Sequence, residues 1–267
     1  MMPPISEPHS DQLEARSGLP GYEVLGVKVQ AWTQESLIGF LASLHGRREN
    51  FIVGNLNLHG AYCLTEFPWM EEFYHRAGMV YVDGMPIVIL GRLKGYPLRR
   101  SHRLTCVDFL PDLLARAQRE GWHIFHLGGR PEVSETARGE ILSRFPRLKI
   151  TFEHGFFDMT PGSDEALGVL SRIRQAAPDF VFVGMGMGRQ ERWILENIDS
   201  LEVDAVIQIG ACLDYVAGAV PTPPRIFGRM GLEGVYRLLT EPRRLSYRYL
   251  VEPFKLVYRR WLRSRSN

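Results

Sequence analysis

Cysteine is scarce in this sequence, with three residues, Cys63, Cys106 and Cys212, among 267. An odd count without short paired spacings excludes a disulfide framework and a paired-cysteine zinc site, and it fits a reducing compartment. Long apolar runs are also missing. Although 45% of the residues are hydrophobic, no window approaches the roughly 18 uninterrupted apolar residues that a membrane-crossing helix requires, so a soluble or peripheral protein is expected. No Gly-Lys-Ser or Gly-Lys-Thr closes a glycine-rich loop, which excludes a Walker A site. No Asp-x-Asp triplet is present to hold a divalent metal against a diphosphate. The eight histidines do not cluster at metal-ligand spacing, and His59, His126 and His154 read as structural. Solenoid repeats and nucleic-acid recognition motifs are lacking too. Neither a metal, nor a cofactor, nor a nucleic-acid partner is expected.

Charge is nearly balanced at +2 overall, yet unevenly placed. Residues 225–267 hold eleven Arg or Lys against three Glu, a local +8, and leave −6 on the rest. Such asymmetry points to a basic tail that meets something anionic. The first 21 residues are polar, acidic and rich in Pro and Ser. They lack the basic and apolar regions of a secretory signal and are expected to form a disordered leader. The chain thus divides into a leader (1–21), a core (22–224) and a basic appendage (225–267).

Within the core, short β-branched or aromatic runs alternate with helical patterns, which is the mark of βαβ units and a parallel sheet. Strands are expected at 22–29, 51–56, 79–82, 122–127, 148–153, 180–183 and 205–209. Helices are expected near 33–45, 107–119, 131–145, 163–176 and 189–199. From residue 225 only helices are expected. Tyr247, Leu250, Val251, Phe254, Val257, Tyr258, Trp261 and Leu262 recur at spacings of three and four among Arg248, Lys255, Arg259, Arg260 and Arg263, a basic amphipathic pattern bent near Pro253. Aromatic rings interleaved with arginines suit a membrane interface, although a charged face over a core stripe has the same pattern.

Ligands of an open parallel sheet sit beyond the carboxyl ends of its strands. That rule selects Asn55 and Asn57, then Asp83-Gly84, Gly128-Gly129, Gly155, the run 184–188 and the run 210–214. Asp83 follows Met-Val-Tyr-Val and could serve as a general base; Asp-Gly is equally a common turn. The turns Leu127-Gly-Gly-Arg-Pro-Glu and Val183-Gly-Met-Gly-Met-Gly-Arg-Gln-Glu each lead into a helix, where backbone amides suit a diphosphate. The second turn superficially matches the dinucleotide fingerprint, but its third glycine is misplaced and no acidic residue ends the next strand. A nicotinamide-dependent oxidoreductase and a non-catalytic membrane-binding protein therefore stand as alternatives to the reading below.

Six blocks, in order, resemble the WecG/TagA/CpsF family of bacterial glycosyltransferases. They are Asn55-Leu-Asn57, Val82-Asp-Gly-Met-Pro, Arg103-Leu-Thr-Cys-Val-Asp108, Leu127-Gly-Gly, Pro178-Asp with Gly184-Met-Gly and Arg189-Gln-Glu, and Gly210-Ala-Cys-Leu-Asp-Tyr. The stretches Gly231-Leu-Glu and Tyr236 to Leu245 resemble its C-terminal appendage. This resemblance implies a Rossmann-like α/β parallel-sheet core with a basic helical, membrane-associating appendage. It also implies metal-independent, inverting transfer from a UDP-sugar to a polyprenyl-diphosphate-linked saccharide, at the cytoplasmic face of the plasma membrane. By matching position, Asp83 is the catalytic base. Asn57 and Gln190 face the donor or acceptor sugar, and Asp214 lies where the nucleobase is read. Asn55, Glu191, Arg103, Asp108, Gly128, Gly129 and Gly186 fall in the substrate-binding blocks. Arg237, Arg244 and Arg248 belong to an appendage expected to close over the diphosphates and contact the anionic membrane. Self-association into a homo-oligomer is a further implication. The chain departs from the family's usual Thr at Asn55, Gly at Cys106, Arg-Ala-Pro at 222–224 and Trp at Gly234.

Overall fold

A computed structural model describes residues 14, 16–221 and 233–266. Its frame is one eight-stranded sheet in the order β1-β2-β4-β3-β8-β7-β5-β6. The strands are β1 (Gly21–Val24), β2 (Val27–Gln30), β3 (Phe51–Leu56), β4 (Met79–Val82), β5 (His123–Gly128), β6 (Lys149–Glu153), β7 (Phe180–Gly184) and β8 (Ala205–Gln208). All neighbours pair in parallel except β1 and β2. The expected α/β fold with a parallel core is therefore what the chain adopts. One element differs, because the single strand expected over 22–29 is the antiparallel hairpin β1-β2. Leu25 and Gly26 turn it with φ of 52° and 75°, the positive pair that a two-residue hairpin loop needs.

Every residue of β4, β7 and β8 is buried, as expected where helices cover both faces of a sheet. Alternation then sorts the side chains. Val53, Tyr81, Phe180, Phe182 and Ile207 enter one core cluster, while Ile52, Val80, Val82, Val181, Val183 and Val206 enter the other. The first cluster is closed by α1 (Gln34–Leu44) and α5 (Cys106–Glu120). The second is closed by α3 (Trp69–Arg76), α4 (Met85–Leu93) and α8 (Arg189–Asn197).

The remaining core helices are α2 (Leu58–Glu66), α6 (Pro131–Arg144), α7 (Asp164–Ala176) and the short α9 (Cys212–Val216). Helices α2, α3, α4 and α9 have no counterpart among the sequence expectations. Two of their starts are nevertheless chemically marked: Asn57 caps α2, and Pro86 stands in the first turn of α4, where its missing N–H is no loss.

At the amino ends of the strands, Asp204 accepts the N–H groups of Gly46 (2.8 Å) and Arg48 (2.9 Å). Asp179 accepts that of His123 (2.8 Å). Packed chain also precedes residue 22, since Arg16 pairs with Glu49 at 2.7 Å and lies over the rings of Phe40 and Phe51.

The C-terminal segment is helical, as expected, in α10 (Glu233–Thr240), α11 (Pro242–Leu250) and α12 (Glu252–Ser266). The expected bend at Pro253 is instead a break between two helices. Pro253 sits in the first turn of α12, where a proline is tolerated. Helix α12 packs along α2: Leu256 is buried, Glu252 Oε2 meets His59 Nδ1 at 2.7 Å, and Arg259 pairs with Glu66 and reaches the Thr65 carbonyl at 3.2 Å. Among the described residues no helix is long and apolar enough to cross a membrane.

Candidate active site at the strand ends

The carboxyl ends of β4, β3, β8, β7 and β5 lie side by side, and the residues selected from sequence gather there. Asn57 follows β3 and fixes two elements at once. Its Oδ1 accepts the Gly60 N–H at 2.9 Å as the α2 cap, so its Nδ2 is left to donate to Asp83 Oδ2, also at 2.9 Å. The Asp83 backbone N–H bonds the Leu56 carbonyl at 2.9 Å, which continues the β3-β4 pairing past the strand. Asp83 is therefore held in place, half-buried, at the mouth of the sheet.

A buried polar network forms the floor. Gln208, the last residue of β8, accepts the Asn55 N–H on Oε1 (3.1 Å) and donates from Nε2 to Glu191 Oε1 (2.7 Å). Gln190 Nε2 donates to the same oxygen at 2.9 Å, and the Gly188 N–H donates to Glu191 Oε2 at 2.5 Å. Gln190, Glu191 and Gln208 are each fully inaccessible to solvent. Burial pushes the Glu191 carboxyl up to about 7, against the pull of its hydrogen-bond donors. Sequence reasoning missed Gln208, whose only signal is a polar residue closing the apolar run Ala-Val-Ile. Tyr74, also missed, donates to the Asn55 carbonyl at 3.1 Å.

Tyr74, Tyr81, Cys63 and His126 are unsuited to accept a proton. Burial drives the Tyr74 and Tyr81 phenols well above their ordinary values, and pushes the Cys63 thiol up to about 12. The buried His126 is pushed down to about 3, so it stays neutral. Asp108 accepts Arg103 Nη2 at 2.9 Å and Thr105 Oγ1 at 2.8 Å. The segment carrying Arg103 is tied to the β4 end by the Leu104 N–H on the Val82 carbonyl (2.8 Å).

The glycines divide into two kinds. A Cβ on Gly128 would stand 2.3 Å from the Gly184 carbonyl oxygen, so this position serves the close approach of β5 and β7. The Gly129 N–H is occupied by that same oxygen at 3.2 Å. Gly186 is different: with φ of +83° and open space where a Cβ would point, it keeps the turn before α8 accessible.

Asp214 lies in the first turn of α9, one residue from Tyr215, over whose ring the Arg237 guanidinium sits at 5.0 Å. That contact brings α10 to the α9 end of the site. Arg248 lies on α11, where its charge acts on the Cys63 thiol of α2. Arg244 is on α11, but its side chain lies outside the described residues, as do residues 222–232 with Thr222, Arg225 and Gly231.

Among the described residues one trio, His45, Asp179 and Asp204, could offer metal ligands. It lies at the opposite end of the sheet, and Arg48 Nη2 is 3.3 Å from Asp179 Oδ1, a cation already in place.

With a sheet of this topology and a carboxylate, amides and arginines at its carboxyl edge, the chain has the features of a group-transfer enzyme. It matches the Glycosyl transferase WecG/TagA/CpsF family over residues 22–267 and belongs to that family. The protein is a glycosyltransferase. Relatives from Staphylococcus aureus strains NCTC 8325 / PS 47 and COL are each 28% identical over 235 residues, covering 87% of this chain and 90% of theirs. Both are N-acetylglucosaminyldiphosphoundecaprenol N-acetyl-beta-D-mannosaminyltransferases.

Glu191 gives the site a signature in stability. The folded carboxyl keeps its proton up to about 7 and the unfolded one only up to its ordinary 4.5. The native state therefore binds more protons between these values, and stability falls as pH rises through that window, by roughly 3 kcal/mol for this group. Urea unfolding from pH 4.5 to 7.5 should show this decline, and Glu191→Gln should flatten it; an unchanged slope in the variant would refute the assignment.

Proposed function

We propose that this glycosyltransferase moves a hexose, N-acetylhexosamine or hexuronate from a UDP-sugar to a saccharide carried on a polyprenyl diphosphate, with inversion and without a metal. The observation that carries the reading is the Asn57-Asp83 pair at the edge of a buried amide floor. The relatives' printed acceptor, N-acetylglucosaminyldiphosphoundecaprenol, supports the lipid diphosphate.

Asp83 accepts the proton of the attacking hydroxyl, which displaces UDP from the opposite face of the anomeric carbon in one step. Proton removal by a fixed carboxylate contributes about 100-fold or more. In this reading Asn57 keeps the Asp83 carboxylate aimed at the acceptor hydroxyl. Gln190 and Asn55 meet the sugar, and Asp214 meets the base. Arg237, Arg244 and Arg248, together with Arg103, neutralise charge developing on the departing diphosphate, the task a metal performs elsewhere.

The helical appendage docks on the anionic inner leaflet, peripherally. Its outer face supports this: Leu239, Phe254, Val257 and Tyr258 are 77%, 75%, 69% and 59% exposed, beside Lys255 and the Arg265 guanidinium over Trp261. Apolar side chains then bury shallowly while cations meet headgroups. Homo-oligomerisation, implied by the family resemblance, is part of the same proposal.

Two experiments test this account. In a UDP-release assay with a polyprenyl-diphosphate-linked acceptor, Asp83→Asn should lower kcat about 100-fold or more with KM for the donor nearly unchanged, and chelator should leave the wild-type rate intact. Near-normal turnover in the variant removes the base assignment, and loss restored by manganese removes metal independence. In flotation assays, phosphatidylglycerol vesicles should bind the protein with strong salt dependence, and Phe254→Asp with Val257→Asp should weaken binding about tenfold or more. Equal binding to neutral vesicles, or no effect of the pair, would contradict the docking face.

A further inference from the structure

We infer that Glu191 is a positioning residue for sugar recognition: its carboxylate fixes the rotation of the Gln190 amide, so that the carbonyl end of Gln190 is what the donor sugar meets. The inference rests on the UDP-sugar reading above and narrows it.

A glutamine amide can turn by half a revolution and exchange donor for acceptor, and only its partners decide which end points where. A carboxyl oxygen that already accepts two N–H groups has no hydrogen to offer, whether the group is ionised or holds its proton on the other oxygen. Glu191 Oε1 takes Nε2 of Gln190 at 2.9 Å and Nε2 of Gln208 at 2.7 Å, so turning either amide would set a carbonyl oxygen against it. The Gly188 N–H on Oε2 holds the carboxylate itself. Among the described residues Gln190 Oε1 is then left buried with no hydrogen-bond partner, and so is Asn55 Oδ1. Meanwhile the Asn55 amide hydrogens are directed to Tyr81 and to the Gln208 carbonyl.

The floor therefore holds two buried acceptors in need of donors, which a sugar reaches by displacing the groups that cover them. Hydroxyl and acetamido N–H groups of a neutral sugar supply donors. A hexuronate turned with its carboxylate to the floor supplies none and would set oxygens against oxygens. Of the three sugar classes above, the floor favours a hexose or N-acetylhexosamine.

Calorimetric binding of UDP, UDP-N-acetylglucosamine, UDP-N-acetylmannosamine and UDP-glucuronate to the full chain tests this. Failure of UDP and every UDP-sugar to bind would sink the donor reading itself. Given UDP binding, at least one neutral UDP-sugar should bind about tenfold or more tighter than UDP, as one or two hydrogen bonds to buried groups provide. Glu191→Gln should erase that gain and leave UDP affinity within about twofold, a margin below one hydrogen bond. In a Gln190→Ala background, Glu191→Gln should cost nothing further, because it acts through Gln190.

A gain for UDP-glucuronate alone, no gain for any sugar, equal loss of UDP binding, or additive effects would each overturn the inference. Should Glu191→Gln not fold, NMR of the wild-type protein decides. The Gln190 and Gln208 side-chain amides should exchange slowly and shift with one common midpoint on acid titration; independent titration or rapid exchange would overturn it.

Discussion

The arrangement depends on one side-chain amide, that of Asn57. Its oxygen closes the start of α2 and its nitrogen holds Asp83. Because the cap fixes which end of the amide faces the helix, the donor is necessarily the end that faces the carboxylate. The position of Asp83 is thereby set by the chain's entry into a helix. The Asp83 N–H on the Leu56 carbonyl completes the clamp, so two neighbouring strands and one helix start share a single constraint.

Helix α2 is also the surface on which the C-terminal helices rest. His59 with Glu252, Arg259 with Glu66 and the Tyr62 and Tyr247 hydroxyls at 3.5 Å span that interface, and Leu256 supplies its apolar part. Only a modest stripe of α12 is covered, which leaves its aromatic and aliphatic outer face in solvent. In the proposed function, a surface that meets lipid is thus mounted directly on the element that carries the Asp83 clamp. Arg237 on Tyr215 makes a second attachment, at the end of β8.

Much of this was readable from residues in order. Continuous apolar runs such as Phe-Val-Phe-Val and Met-Val-Tyr-Val announce strands covered on both sides, and the rule that ligands collect at strand ends selects Asn57 and Asp83, while Gln190 follows from the family resemblance alone. The hairpin at Leu25-Gly26 was not readable as such, because Leu is an uncommon residue at positive φ and an eight-residue alternating run looks like one strand. Helices α2 to α4 were missed because they are short and follow their strands almost without a loop, so their apolar residues merge with the strand signal. The floor was hidden for another reason. Gln208 and Glu191 are seventeen residues apart in sequence and become partners only when β8 takes its place beside β3 and β7. The glycines at 128 and 129 show the converse, since a motif suited to phosphate turns out to be occupied by strand packing against Gly184.

Asn57→Ser offers the most direct test of the central claim, because serine still caps α2 but is too short to reach Asp83. Loss of that donor should leave the Asp83 carboxylate unaimed and lower kcat about tenfold, as expected for one hydrogen bond to a charged group, with thermal stability nearly unchanged. A kcat that stays at the wild-type value in Asn57→Ser, while the variant remains folded, would contradict the account.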